Sequence, residues 1–99
     1  MPLNFNYTKK YKMKVSVYDT YVTRKDGKEM HFDILVPDHE KDVDKIYRFG
    51  RTYLKTKGQD GQELASKECK FCHIQEAAAE VKSEISEKGF SIIEMKNCN

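Results

Sequence analysis

Met13, Val15 and Val17 alternate with Lys14, Ser16 and Tyr18, the period-two pattern of a strand with one buried face. The run continues through Asp19, Thr20, Tyr21 and Val22, which are β-branched or aromatic apart from the aspartate. Lys25-Asp26-Gly27-Lys28 then supplies a turn, and Met30, Phe32, Ile34 and Val36 form a second alternating run closed by Pro37. With Asp26 and Gly27 at the tip, Val17 faces Val36, Asp19 faces Ile34 and Tyr21 faces Phe32 on one side. Tyr18 with Leu35, Thr20 with Asp33 and Val22 with His31 fall on the other. After Pro37 the period lengthens. Val43, Ile46, Tyr47, Gly50, Tyr53 and Leu54 recur at three-four spacing, which predicts a helix capped by Asp38 or Asp42 and ended at Gly58. A polar loop follows to Ser66, then a short strand over Lys70–Gln75. Ala77, Ala78, Val81 and Ile85 mark a second amphipathic helix ended by Gly89. Phe90–Met95 carries apolar residues for both faces, which predicts a central strand.

The order β-β-α-β-α-β implies an α+β fold, a two-layer sandwich. An opening antiparallel hairpin joins a mixed sheet on which both helices pack. The crossover from the third strand through the second helix is expected to be right-handed and parallel. With 99 residues the chain allows one domain, assigned to 13–99.

Eighteen basic and sixteen acidic residues are interleaved, for a net charge of +2, so neither a nucleic-acid stripe nor an acidic-ligand funnel is expected. The sequence contains no apolar tract of the ~20 residues that a membrane-spanning helix needs. Residues 1–12 show no period and no signal-peptide pattern; they read as an extension, either a short arm or a disordered or non-native addition, with Met13 as the expected natural start. Three cysteines cannot all close into disulfides, and a non-exported chain with reduced thiols is expected in the cytoplasm.

Cys69-Lys70-Phe71-Cys72-His73 is the sharpest motif. Its literal match is c-type haem attachment, which needs export and an exposed motif, so haem is not expected. Zinc would use Cys69, Cys72 and His73 with His31, His39 or Cys98 as a fourth ligand, but a regular strand points Cys69 and Cys72 to opposite faces. A redox dithiol would want the motif to open a helix. The plain alternative packs Cys72 as a small apolar residue and leaves Cys69 at a strand edge. No cofactor is assigned on this basis.

His31 and Asp33 share one face of the second strand, either as an oriented base or as a solvated pair. Asp19 is expected on the apolar face, where an unpaired charge is costly. It calls for a bulge, for a partner such as Arg48 or Arg51, or for a site. Tyr47 and Tyr53 belong to the helix stripe, whereas Phe49 lies outside it and would suit a partner surface.

Tyr18-Asp19-Thr20-Tyr21-Val22, Met30–Pro37, Ser66–Ile74 and Ile92-Ile93-Glu94-Met95 together resemble the small bacterial family catalogued as domain of unknown function 2024. The resemblance runs from Met13 to Cys98, with the blocks in the family's order. It implies a compact α+β domain, and it implies that Asp19, His31, Asp33, Cys69, Cys72 and His73 sit in the family's hallmark segments. It implies no activity. The expected function is a non-enzymatic binding or interaction module, with a homodimer through a sheet edge or Phe49 as its assembly. The alternative is a metal or thiol site on Cys69, Cys72 and His73.

Overall fold

The computed structural model describes residues 12–99, so the extension at 1–12 lies, but for Lys12, outside the described residues. Strands β1 (Lys14–Thr23) and β2 (Glu29–Pro37) form the opening hairpin. Helix α1 (Val43–Thr56), strand β3 (Cys69–Glu76), helix α2 (Ala79–Lys88) and strand β4 (Ser91–Lys96) follow. The sheet order is β3-β1-β2-β4. The α+β class and the element order are those the sequence implies.

The hairpin register differs from the expected one by a single residue. Val17 faces Leu35, Asp19 faces Asp33 and Tyr21 faces His31. The connection holds three residues, Lys25, Asp26 and Gly27. The Gly27 N–H donates to the Arg24 carbonyl at 2.9 Å, and the Arg24 N–H donates to the Lys28 carbonyl at 2.7 Å. Gly27 has φ +90°, the left-handed residue that closes a three-residue loop. The longer loop slides the strands past one another by one position, and with a side-chain period of two this turns the faces of β1 over relative to β2. Tyr18, Thr20 and Val22 therefore join Met30, Phe32, Ile34 and Val36 on the core face. Thr20 is fully buried there, opposite Phe32, with its hydroxyl donating to the Tyr18 carbonyl at 3.1 Å.

Helix α1 covers this face with Ile46, Tyr53 and Leu54. Asp42 caps its amino end by accepting from the Lys45 N–H at 3.2 Å. Phe49 is not an outward-facing partner surface: its ring stacks on Phe90 with centroids 4.5 Å apart. Helix α2 lies on the opposite face, where Val81 and Ile85 pack with Val15, Val17 and Leu35. The two helices thus flank the sheet from its two sides rather than forming one layer.

The sheet is antiparallel in all three pairings and not mixed. Strand β3 pairs with β1 at one edge and β4 pairs with β2 at the other. The reason lies in α2. Strand β3 ends beside Lys14 and β4 begins beside Leu35, at the same end of the hairpin. Ten helical residues span about 15 Å, which matches the roughly 14 Å across three strand spacings. The helix bridges the width of the sheet and has no need to run back along its length. Strand β4 is accordingly an edge strand. Ile92 packs on the α1 core and buried Ser91, on the other face, donates to Glu84 of α2, while Ile93 and Met95 are exposed.

Gly50 marks the closest approach of α1 to its surroundings. A Cβ there would stand 2.5 Å from Leu64 Cδ1 and 2.9 Å from Ile34 Cδ1. Overpacking of this kind costs roughly 1–3 kcal/mol. Gly50→Ala is expected to destabilise the domain by that amount in urea unfolding, even though alanine is the better helix former. An unchanged or higher midpoint would contradict the packing described.

Candidate functional site

Helix α2 covers only the Val15–Leu35 end of its sheet face. The other end carries Asp19 and Tyr21 from β1 with His31 and Asp33 from β2. His31 Nε2 lies 2.6 Å from Asp19 Oδ1. One ligand atom from each of Asp19, His31 and Asp33 lies within 4.8 Å of the others, and each residue is half-buried. The Tyr21 ring stacks on the His31 imidazole, with centroids 4.1 Å apart and planes 10° apart, and this fixes the ring.

The expectation that Asp19 sits opposite Ile34 on the apolar face is corrected by the register. Asp19 lies on the open face directly across from Asp33, and it pairs with His31 rather than with Arg48 or Arg51. His31 and Asp33 do share a face, but their cross-strand neighbours are Tyr21 and Asp19, not Val22 and Thr20.

Like charges directly opposed across two strands repel. Partial burial raises the Asp33 carboxyl above its ordinary range, and the hydrogen bond and charge of Asp19 raise it further. The charges of His31 and His73 pull it back. Tyr21 is also raised, first by desolvation and then by Asp19, Glu29 and Asp33; Lys70 of β3 lies opposite Asp19 and Lys96 of β4 opposite His31.

The Cys-x-x-Cys-His residues do not gather into one site. Cys69 is buried opposite Thr20 in the α1 core, and burial pushes its thiol up. Cys72 is exposed at a bulge, the extra residue between the pairs Val17–His73 and Tyr18–Phe71. The expectation of a buried Cys72 and an edge Cys69 is therefore reversed. Among the described residues, the donor set that converges is Asp19, His31 and Asp33. Sequence reasoning missed Tyr21 as the support for His31 and Gln75 as the partner of His73, whose Nε2 lies 2.7 Å from Gln75 Oε1. The spacing of Gln75 from His73, two residues along one strand, was the available signal for the second.

A cleft of about 610 Å³ lies elsewhere, at the β4 edge, lined by Tyr53, Thr56, Glu84, Lys88, Phe90 and Ile92 among others. Among the described residues no helix is long and apolar enough to cross a membrane.

The family model described as "Domain of unknown function (DUF2024)" matches residues 13–95. The solved NMR structure of protein NE1680 from Nitrosomonas europaea is 40% identical and superposes with a TM-score of 0.76. The match covers 88% of this chain and 100% of that one. No curated protein matches.

The raised Asp33 carboxyl sets the sign of a pH effect. A folded-state value above the unfolded one means that stability falls as pH rises through the carboxylate range, and that the deficit persists at neutral pH. Asp33→Asn is therefore expected to raise the melting temperature at pH 7, by the equivalent of up to ~1 kcal/mol for an opposed like-charge pair. The gain should vanish below the unfolded aspartate value of about 3.9. Melting curves at pH 7 and pH 3.5 decide this, and a variant no more stable than the parent at pH 7 would refute it.

Proposed function

The chain belongs to the DUF2024 family, and we propose that it is a binding module that takes a divalent metal ion on Asp19, His31 and Asp33. The observation that carries this reading is the convergence of one imidazole nitrogen and two carboxylates from adjacent strands within 4.8 Å. A sheet gains nothing in stability from two aspartates placed directly opposite each other, and such a break of a local rule is where function is to be sought.

One imidazole and two carboxylates form a borderline-to-hard donor set, suited to Zn²⁺ or Mn²⁺ and not to Cu(I). Bonds of about 2.0–2.2 Å to one ion space such donors by roughly 3 Å. Small side-chain rotations reach that spacing from the 2.6 Å His31–Asp19 contact. The ion would take the place of the proton shared in that contact, and its charge would offset the repulsion between the carboxylates. The stack with Tyr21 already holds the imidazole plane, so little ordering is left to do. The three donors come from one face of two strands and leave the solvent side of the ion open to water or to a group on a partner. Binding rather than turnover is favoured because this face is an open sheet surface, whereas a reaction site gains from excluding water.

Isothermal titration of chelator-treated protein with ZnCl₂ and with MnCl₂ tests the reading. One ion per chain and a raised melting temperature are expected, with about 2.7 kcal/mol of stabilisation at a hundredfold excess over the Kd. Asp19→Asn combined with His31→Gln should abolish both effects, while Cys72→Ser should leave them intact. If the double variant binds as the parent does, or neither metal shifts the melting temperature, the site is not a metal site.

A further inference from the structure

The second cluster of chemistry-bearing side chains lies on the edge strand β3, next to β1, and the charge of its His73 acts on Asp33. Among the three cysteines only Cys72 is exposed; Cys69 is in the core, and Cys98 is buried with its thiol donating to the His31 carbonyl at 3.3 Å. Cys72 does not stand alone. Its Sγ lies 3.2 Å from His73 Nδ1, and His73 Nε2 lies 2.7 Å from Gln75 Oε1. An amide oxygen can only accept, so Nε2 carries the imidazole proton and Nδ1 is left as the acceptor facing the thiol. Thiol, base and orienting amide follow one another as in nucleophilic cysteine sites. The β-bulge makes the arrangement possible, because it inserts Cys72 next to His73 instead of alternating the two across the strand.

We infer that Cys72 is a reactive monothiol that exchanges with small disulfides. His73 Nδ1 takes the Cys72 proton while the sulfur attacks one sulfur of a disulfide R–S–S–R. The R–S–S–R bond breaks as the Cys72–S–S–R bond forms, and the leaving thiolate takes up the proton from His73. The Cys72 sulfur is oxidised and the leaving sulfur is reduced, so the exchange balances with the disulfide as its only co-reactant. No second thiol of the chain is exposed to resolve the product. The mixed disulfide persists until an external thiol removes it, which makes this a reversible modification site and not a dithiol oxidoreductase. The adduct would stand on a free sheet edge beside Phe71 and Ile74, both about half exposed, so modification would change the most apolar stretch of that edge.

Oxidised glutathione is the probe, with intact mass read against time between pH 6 and 9. One glutathionyl adduct per chain is expected, mapped to Cys72 by peptide mass and reversed by dithiothreitol, and absent from Cys72→Ser. His73→Gln should react about tenfold or more slowly at pH 7 and recover towards the parent rate near pH 9, where hydroxide replaces the imidazole as the base. Gln75→Leu should be slowed in the same sense, and Gln75→Glu, which strengthens the base, should be faster than the parent. These residues are exposed on an edge strand, and unchanged melting curves verify that the fold is kept. Equal rates for parent and His73→Gln at every pH, or first modification at Cys69 or Cys98, would overturn the inference.

Discussion

The pairing of Asp19 with Asp33 follows from the left-handed glycine at position 27, because that residue closes a three-residue connection and so sets the register of β1 on β2. A two-residue tip would have left Asp19 facing Ile34 and separated it from His31. Instead, one face of the hairpin is apolar but for buried Ser16 and Thr20, and the carboxylates meet on the other. Asp26 reinforces the loop, accepting from the Lys28 N–H at 3.1 Å and pairing with Arg24 at 2.9 Å. The local hydrogen bonds of a turn thus decide which chemistry is assembled about 17 Å away along the strands, roughly five residues at the usual rise.

Coverage is the second consequence of this arrangement. Helix α1 buries the apolar face, and α2, only long enough to bridge the sheet's width, seals one end of the other face. What remains open is the half that carries Asp19, Tyr21, His31 and Asp33. The carboxylates are only half-buried there, so burial and mutual repulsion raise Asp33 while solvent and the two histidines keep the pair tolerable. A fully buried version of the same trio would be too costly to keep charged. The fold offers the donors without a covering element, in the manner of a surface that receives something.

The two chemistries use different devices of the same sheet. On β1 and β2, regular pairing brings residues from two strands together across the ladder. On β3, the irregular pairing at Cys72 brings neighbours on one strand together, which strict alternation forbids. His73 belongs to the second group, yet its charge reaches Asp33 of the first. An ion held by the carboxylates and a modified Cys72 would therefore be felt by the same imidazole.

Hydrophobic period alone determined the two helices, the opening hairpin, the order of the elements and the α+β class, because apolar spacing reports directly which residues must leave water. It placed His31 and Asp33 on one face of β2 but set Asp19 on the other face of the hairpin, and only the family resemblance grouped the three. Which of them touch is not written in that spacing. A slip of one residue leaves the alternation of each strand intact and exchanges only the partners, so it was the loop geometry in the folded chain that joined Asp19 to His31. The antiparallel edges had the same origin: the sequence shows a helix between two strands, but the direction of the second strand depends on where that helix finds its apolar partners. Cys69 and Cys72 were legible as a motif, and their separation into core and solvent was not, since a bulge is a property of two paired strands and not of either one.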